Sequence, residues 1–91
     1  MDAIGSVTSS VETQVVLYGK PGCHLCEDAY TVLRKVQQEQ AFQLTLIDIQ
    51  RDPDLFARFS SAIPVIEIDG RHFCQYHVDE ARFRERLQEV K

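Results

Sequence analysis

Two thiols stand three positions apart, at Cys23 and Cys26, directly after Lys20-Pro21-Gly22 and at the head of a long helical pattern. That separation is close to one helical turn, so both sulfurs reach the same face. The first lies where unpaired backbone N–H groups and the positive end of the helix dipole hold a thiolate, and thiols so placed ionise with pKa values of about 3.5–7.5. A close dithiol of this kind can be oxidised, reduced and exchanged with a partner's disulfide. Cys23 is the expected nucleophile. Cys26, one turn inside the helix and less exposed, is the expected resolving thiol. Lys20 adds positive charge on the same turn and His24 is a second candidate for doing so, while Glu27 and Asp28 act the other way.

The elements that must position this pair are readable around it. Val15-Val16-Leu17-Tyr18 is a short apolar run ended by Gly19, Pro21 and Gly22, which predicts a buried strand. From Cys23 onward Leu25, Ala29, Val32, Leu33 and Val36 form one helical stripe with charges opposite. Phe42 to Ile49 predicts the next strand. Strand, crossover helix and second strand make a right-handed parallel βαβ unit, so the cysteine turn lies at the C-terminal end of the first strand, where open α/β sheets place their chemistry. Asp52-Pro53-Asp54 predicts a helix start, Asp52 capping and Pro53 at the first helical position, with Leu55, Phe56 and Phe59 packing the helix on the sheet. Pro64–Ile68 and Arg71–Gln75 flank Asp69-Gly70, a two-residue hairpin signal. A last helix is expected from about Asp79 to Val90, capped by Asp79 and presenting Phe83, Leu87 and Val90 inward.

The order is therefore β-α-β-α-β-β-α, an α/β protein with a mixed four-stranded sheet and helices on both faces. Residues 1–13, polar and small, read as a flexible N-terminal tail, and residues 14–91 as the domain. At 91 residues there is room for one core. A formal charge of −4 argues against nucleic acid or anionic membranes as partners. No apolar run approaches the ~20 residues of a membrane span, and the N-terminus carries no signal-peptide pattern. Three cysteines are too few for a disulfide-stapled mini-protein, so the default compartment is a reducing cytoplasm, where a close pair is catalytic or metal-binding.

Tyr18-Gly19-Lys20-Pro21-Gly22-Cys23-His24-Leu25-Cys26 resembles the active-site turn of the glutaredoxin branch of the thioredoxin fold. Ala62-Ile63-Pro64-Val65 is similar to that family's Thr-Val-Pro segment. More closely, Cys-x-Leu-Cys-x-x-Ala with the late Asp79-Glu80-Ala81 resembles a small glutaredoxin-like group. The resemblance runs from Val15 to the end of the chain. It implies a cis peptide bond before Pro64, with the Ile63 backbone offered to an extended substrate as a strand partner. It also implies substrate contacts from Lys20, Ile63, Pro64 and Asp79, and a thiol–disulfide oxidoreductase reducing protein or glutathione mixed disulfides. Reductants would be glutathione or a thioredoxin reductase; no resident cofactor is implied, and glutathione enters as a cosubstrate. Two positions depart from the pattern. Tyr76-His77 stands where the family has the Gly-Gly that helps to bind glutathione, and Ala62 replaces the threonine.

Other readings compete. Cys23 and Cys26 with His72 and Cys74 have the makings of a zinc site. Hairpin register, however, sets Cys74 opposite Val65 and His72 opposite Glu67, about 7 Å further along, so a common centre is strained. In some glutaredoxin relatives the first cysteine of two chains and two glutathiones hold an iron–sulfur cluster, which would make the chain a binding module. A thioredoxin-fold adaptor without significant turnover is the third reading. Cys74 is expected in the core, Tyr76 as a packing residue, and His77 without a role. Nothing demands an oligomer, and a monomer is expected.

Overall fold

The apolar run at Val15–Tyr18 lies in the middle of the sheet. A computed structural model of the chain describes residues 13–89. The elements are β1 (Gln14–Gly19), α1 (His24–Gln37), β2 (Gln43–Asp48), a 3₁₀ turn (Ile49–Arg51), α2 (Pro53–Phe59), β3 (Val65–Ile68), β4 (Arg71–Gln75) and α3 (Glu80–Glu89). Spatial order is β2-β1-β3-β4. β1 runs parallel to β2 and antiparallel to β3, and β3 is antiparallel to β4. The expected tail lies outside the described residues except for Thr13, which is buried and accepts a hydrogen bond from the Gln43 N–H through its carbonyl (2.8 Å).

Alternation along the strands divides the interior into two layers. Val15 and Leu17 of β1 and Ile66 and Ile68 of β3 meet Ala29, Leu33 and Val36 of α1 and Phe83 and Leu87 of α3 in the main core. Tyr18, the next residue along β1, faces the other layer, where Leu55 and Phe59 of α2 pack beside Ile49 and Ile63. Helices thus cover both faces. α2 starts as expected: Asp52 Oδ1 accepts from the Asp54 and Leu55 N–H groups (2.9 and 3.4 Å), ahead of Pro53. Phe56 departs from the expectation. It is exposed, because Leu55 and Phe59, one turn apart, use up the sheet-facing side and Phe56 is rotated about 100° away.

The hairpin forms at Asp69-Gly70, whose φ values of 51° and 82° are both left-handed, as its turn requires. Glu67 faces His72 as expected. Beyond that pair the expected register fails. A bulge at Phe73 sets Cys74 opposite Ile66 instead of Val65. The extra residue brings Phe73 onto Phe83 (ring centroids 5.7 Å) and Cys74 against the same core. α3 is capped by Asp79, whose Oδ1 accepts from the Arg82 N–H (3.2 Å) and whose carbonyl accepts from the Phe83 N–H (2.9 Å). Val90 lies outside the described residues. Arg84 ties α3 to the chain just past α1 through Glu39 (2.8 Å) and pairs within α3 with Glu80 (2.9 Å), and its guanidinium holds both carboxyls below their usual range.

Candidate active site

The sharp turn after β1 ends at Gly22, which takes a left-handed φ of 77° and delivers Cys23 to the head of α1. Cys23 is the N-cap in extended backbone geometry, and its Sγ accepts from the Cys26 N–H at 3.2 Å. Its carbonyl accepts the first helical bond, from Glu27 (3.1 Å). A cap position usually held by a hydroxyl or carboxylate is thus held by sulfur, so an amide hydrogen and the helix dipole both favour negative charge there. The sulfurs of Cys23 and Cys26 are joined as a disulfide, with Cα atoms 5.2 Å apart. Cys23 is partly exposed and Cys26 is 8% exposed, the asymmetry expected of an attacking and a resolving thiol.

Cys26 is seated against the end of β1. A Cβ on Gly19 would stand 3.0 Å from Cys26 Sγ and 3.2 Å from Cys26 Cβ. The sulfur is fixed by its bond and cannot give way easily. Gly19→Ala is expected to cost the oxidised protein about 1–3 kcal/mol, the usual penalty for overpacking, read by calorimetry. An unchanged melting temperature would mean that the sulfur is not held there.

The Ile63–Pro64 peptide bond is cis, as the resemblance implied. Pro64 is buried, and its carbonyl accepts from the Tyr76 N–H (2.8 Å). Ile63 joins Cys26 and Ile49 in the second apolar cluster, with Cys23 and Tyr18 packed against it. The structure therefore brings Cys23, Cys26 and Ile63 together, with Pro64 the next residue along the chain. Lys20 is exposed on the cysteine turn, and Asp79 caps α3. Tyr76 does more than pack. It is exposed, takes a left-handed φ of 70°, and its hydroxyl donates to the Ser61 carbonyl (3.0 Å), spanning the loop that ends at Pro64. The backbone conformation suits glycine, while a ring occupies the position. His24 is a surface residue 3.9 Å from Asp28.

Cys74 stands apart from the pair, half-buried against the main core, and Cys23 and Cys26 belong to the other cluster. The bulge explains why the four-ligand arrangement does not assemble; among the described residues no group of three or more metal-binding side chains is gathered. Burial pushes the Cys74 thiol up to about 11, with Arg82 opposing. Because the fold favours the neutral thiol, its contribution is complete below the ordinary thiol range and is lost as pH rises through about 11. Thiol reagents at neutral pH should leave Cys74 unmodified in the folded protein and modify it after denaturation. Equal labelling in both states would place it in solvent.

One feature lay beyond the sequence reading: a cavity of about 390 Å³ between α1 and the β1–β2 edge, with Cys26 and Gly19 among its lining residues. Its signal was present in the alternation of Leu44, Leu46 and Asp48, which share a face with Leu17 and Gly19.

Such a sheet, with a Cys-x-x-Cys pair at the head of its first helix and a cis-proline loop beside it, defines a glutaredoxin-like protein of the thioredoxin superfamily. Residues 14–88 match the family described as "Glutaredoxin-like domain (DUF836)", and the chain belongs to that family. It is 33% identical over 76 residues to an uncharacterized protein of Mycobacterium tuberculosis, covering 78% of each. The solution structure of Ne2328 from Nitrosomonas europaea superposes with a TM-score of 0.74 at 29% identity, covering 84% of this chain and 92% of that one. A thioredoxin mutant from Halobacterium salinarum shares the fold alone, with a TM-score of 0.67 at 16% identity over 96% of this chain and 81% of that one. Among the described residues no helix is long and apolar enough to cross a membrane.

Proposed function

We propose that the chain is a thiol–disulfide oxidoreductase that reduces protein disulfides or glutathione mixed disulfides in a reducing compartment, through a Cys23/Cys26 dithiol cycle. The observation that carries this reading is the Cys23 sulfur at the helix N-cap, accepting the Cys26 N–H, with Cys26 buried beneath it. In the reduced protein the Cys23 thiolate attacks one sulfur of the substrate disulfide; a mixed disulfide forms and the other sulfur leaves as a thiolate that takes up a proton. Cys26 then loses its proton and attacks Cys23 Sγ, releasing the second substrate thiolate and closing the Cys23–Cys26 disulfide. Two electrons have passed to the substrate, and an external thiol reductant, glutathione or a thioredoxin reductase, returns them.

The Ile63–Pro64 segment is the substrate's backbone platform in this proposal, because Ile63 packs in the cysteine cluster at the edge of the site. Lys20 supplies positive charge at the turn and Asp79 a carboxylate at the head of α3. The Tyr76 ring, where glycines would leave backbone open, favours a protein substrate over free glutathione. The test is a trap. Cys26→Ser, incubated with a disulfide-bearing protein, should accumulate a mixed disulfide through Cys23, read by mass spectrometry. Failure to form that adduct, or an adduct through Cys74, would contradict the cycle.

A further inference from the structure

Resolution of the mixed disulfide requires Cys26 to lose a proton, yet Cys26 is 8% exposed and its sulfur lies against Gly19. Buried apolar surroundings hold a thiol protonated. Something must accept that proton, and the cavity beside Cys26 limits the choice. Gly19 and Asp48 are partners in the parallel β1–β2 ladder, so their side-chain directions share a face. The direction of a Cβ on Gly19 leads to Cys26 Sγ at 3.0 Å. The Asp48 Cβ therefore stands one strand spacing away, about 4.8 Å, on the side where that sulfur sits. Cys26 and Asp48 both line the cavity. Asp48 is also held in place: its Oδ1 accepts from the Gln50 N–H at 2.9 Å, which fixes the carboxylate at the mouth of the 3₁₀ turn.

The geometry points to Asp48 as the acceptor of the Cys26 proton, across the solvent-open cavity, in the step that resolves the mixed disulfide. The inference rests on the dithiol cycle proposed above. The proton leaves Cys26 Sγ for the Asp48 carboxylate, and the sulfur's electron pair forms the bond to Cys23 Sγ. The pair that held the substrate to Cys23 leaves on the substrate thiolate, to which the proton can be returned. The other titratable groups facing the cavity are Lys20 on the turn and Glu27 and Tyr30 on α1, with Arg51 lying 3.9 Å from Asp48 Oδ2. Glu27 follows Cys26 on α1, so its side chain is turned about 100° from the sulfur.

An aryl disulfide with a coloured thiolate product separates the two half-steps. Attack by Cys23 on the reduced protein releases one equivalent of colour; resolution by Cys26 releases the second. Asp48→Asn and Asp48→Ser both retain an oxygen that caps the Gln50 N–H, and calorimetry confirms the folding of each. The first release should be unchanged in both variants. The second should slow at least about tenfold at neutral pH and recover toward the wild-type rate in strong alkali, where hydroxide takes the proton. Rates within twofold of wild type at every pH would overturn the assignment. So would slowing that is equal at all pH values, since that is a positioning effect, or the same loss on Glu27→Gln alone. Absence of the second release from the wild-type protein would instead contradict the dithiol cycle itself.

Discussion

Cys23→Ser should abolish reduction of disulfide substrates, lowering kcat/KM at least about a thousandfold, because no other group at the site supplies a nucleophile. Cys26 cannot substitute for it. Its sulfur is 8% exposed and directed toward Gly19, whereas Cys23 is at the rim with its sulfur already on an amide hydrogen. Cys74 cannot substitute either, since it packs against the other apolar cluster with its thiol pushed up to about 11. The two cysteine variants must therefore differ in kind. Cys26→Ser keeps the first attack and stalls at the adduct, while Cys23→Ser never forms one. Coupled turnover assays with both variants check this, and residual activity of Cys23→Ser above a few percent would assign the chemistry elsewhere.

The largest expected effect on stability is at Phe83. This ring is fully buried at the meeting of α3 with the sheet, 5.6 Å from the Phe42 ring centroid and 5.7 Å from that of Phe73. Truncation to alanine removes the contacts of both edge-on pairs and leaves a void, at a cost of about 3–5 kcal/mol. Small domains have about 5–15 kcal/mol in all, so Phe83→Ala should lower the melting temperature by at least about 12 °C or prevent folding. Phe56→Ala is the control, since that ring is 44% exposed and its loss should change stability by less than about 1 kcal/mol. Similar losses at the two positions would mean that the main core does not lie between α3 and the sheet.

Most of what positions the site could be read from local chemistry. The β1 run, the Asp52-Pro53 start and the Asp69-Gly70 turn each carry their own short-range signal and form where expected, and of the α1 stripe Ala29, Leu33 and Val36 are buried while Leu25 and Val32 stay half-buried. The misses are tertiary. Nothing local announces the bulge at Phe73, which arises because Phe73 and Cys74 both pack on the core around Phe83. That one shift separates Cys74 from the Cys23–Cys26 pair. Phe56 reads as apolar, but a helix as short as α2 has one sheet-facing side, and Leu55 and Phe59 fill it. Asp48 carries no signal of its own within the strand pattern of Phe42 to Ile49. Its place beside Cys26 depends on the β1–β2 register and on the close approach permitted by Gly19. The cysteine pair was legible because its disulfide chemistry is written in spacing; the group proposed to serve it belongs to a different element.

The most direct test is the rate at which iodoacetamide alkylates the reduced protein from about pH 5 to about pH 9, with the modified residue identified by mass spectrometry. A sulfur stabilised as an anion at the N-cap predicts that Cys23 reacts faster than free cysteine below neutrality, while Cys26 and Cys74 are spared. A Cys23 rate no greater than that of free cysteine across this range, or preferential labelling of Cys26, would contradict the account.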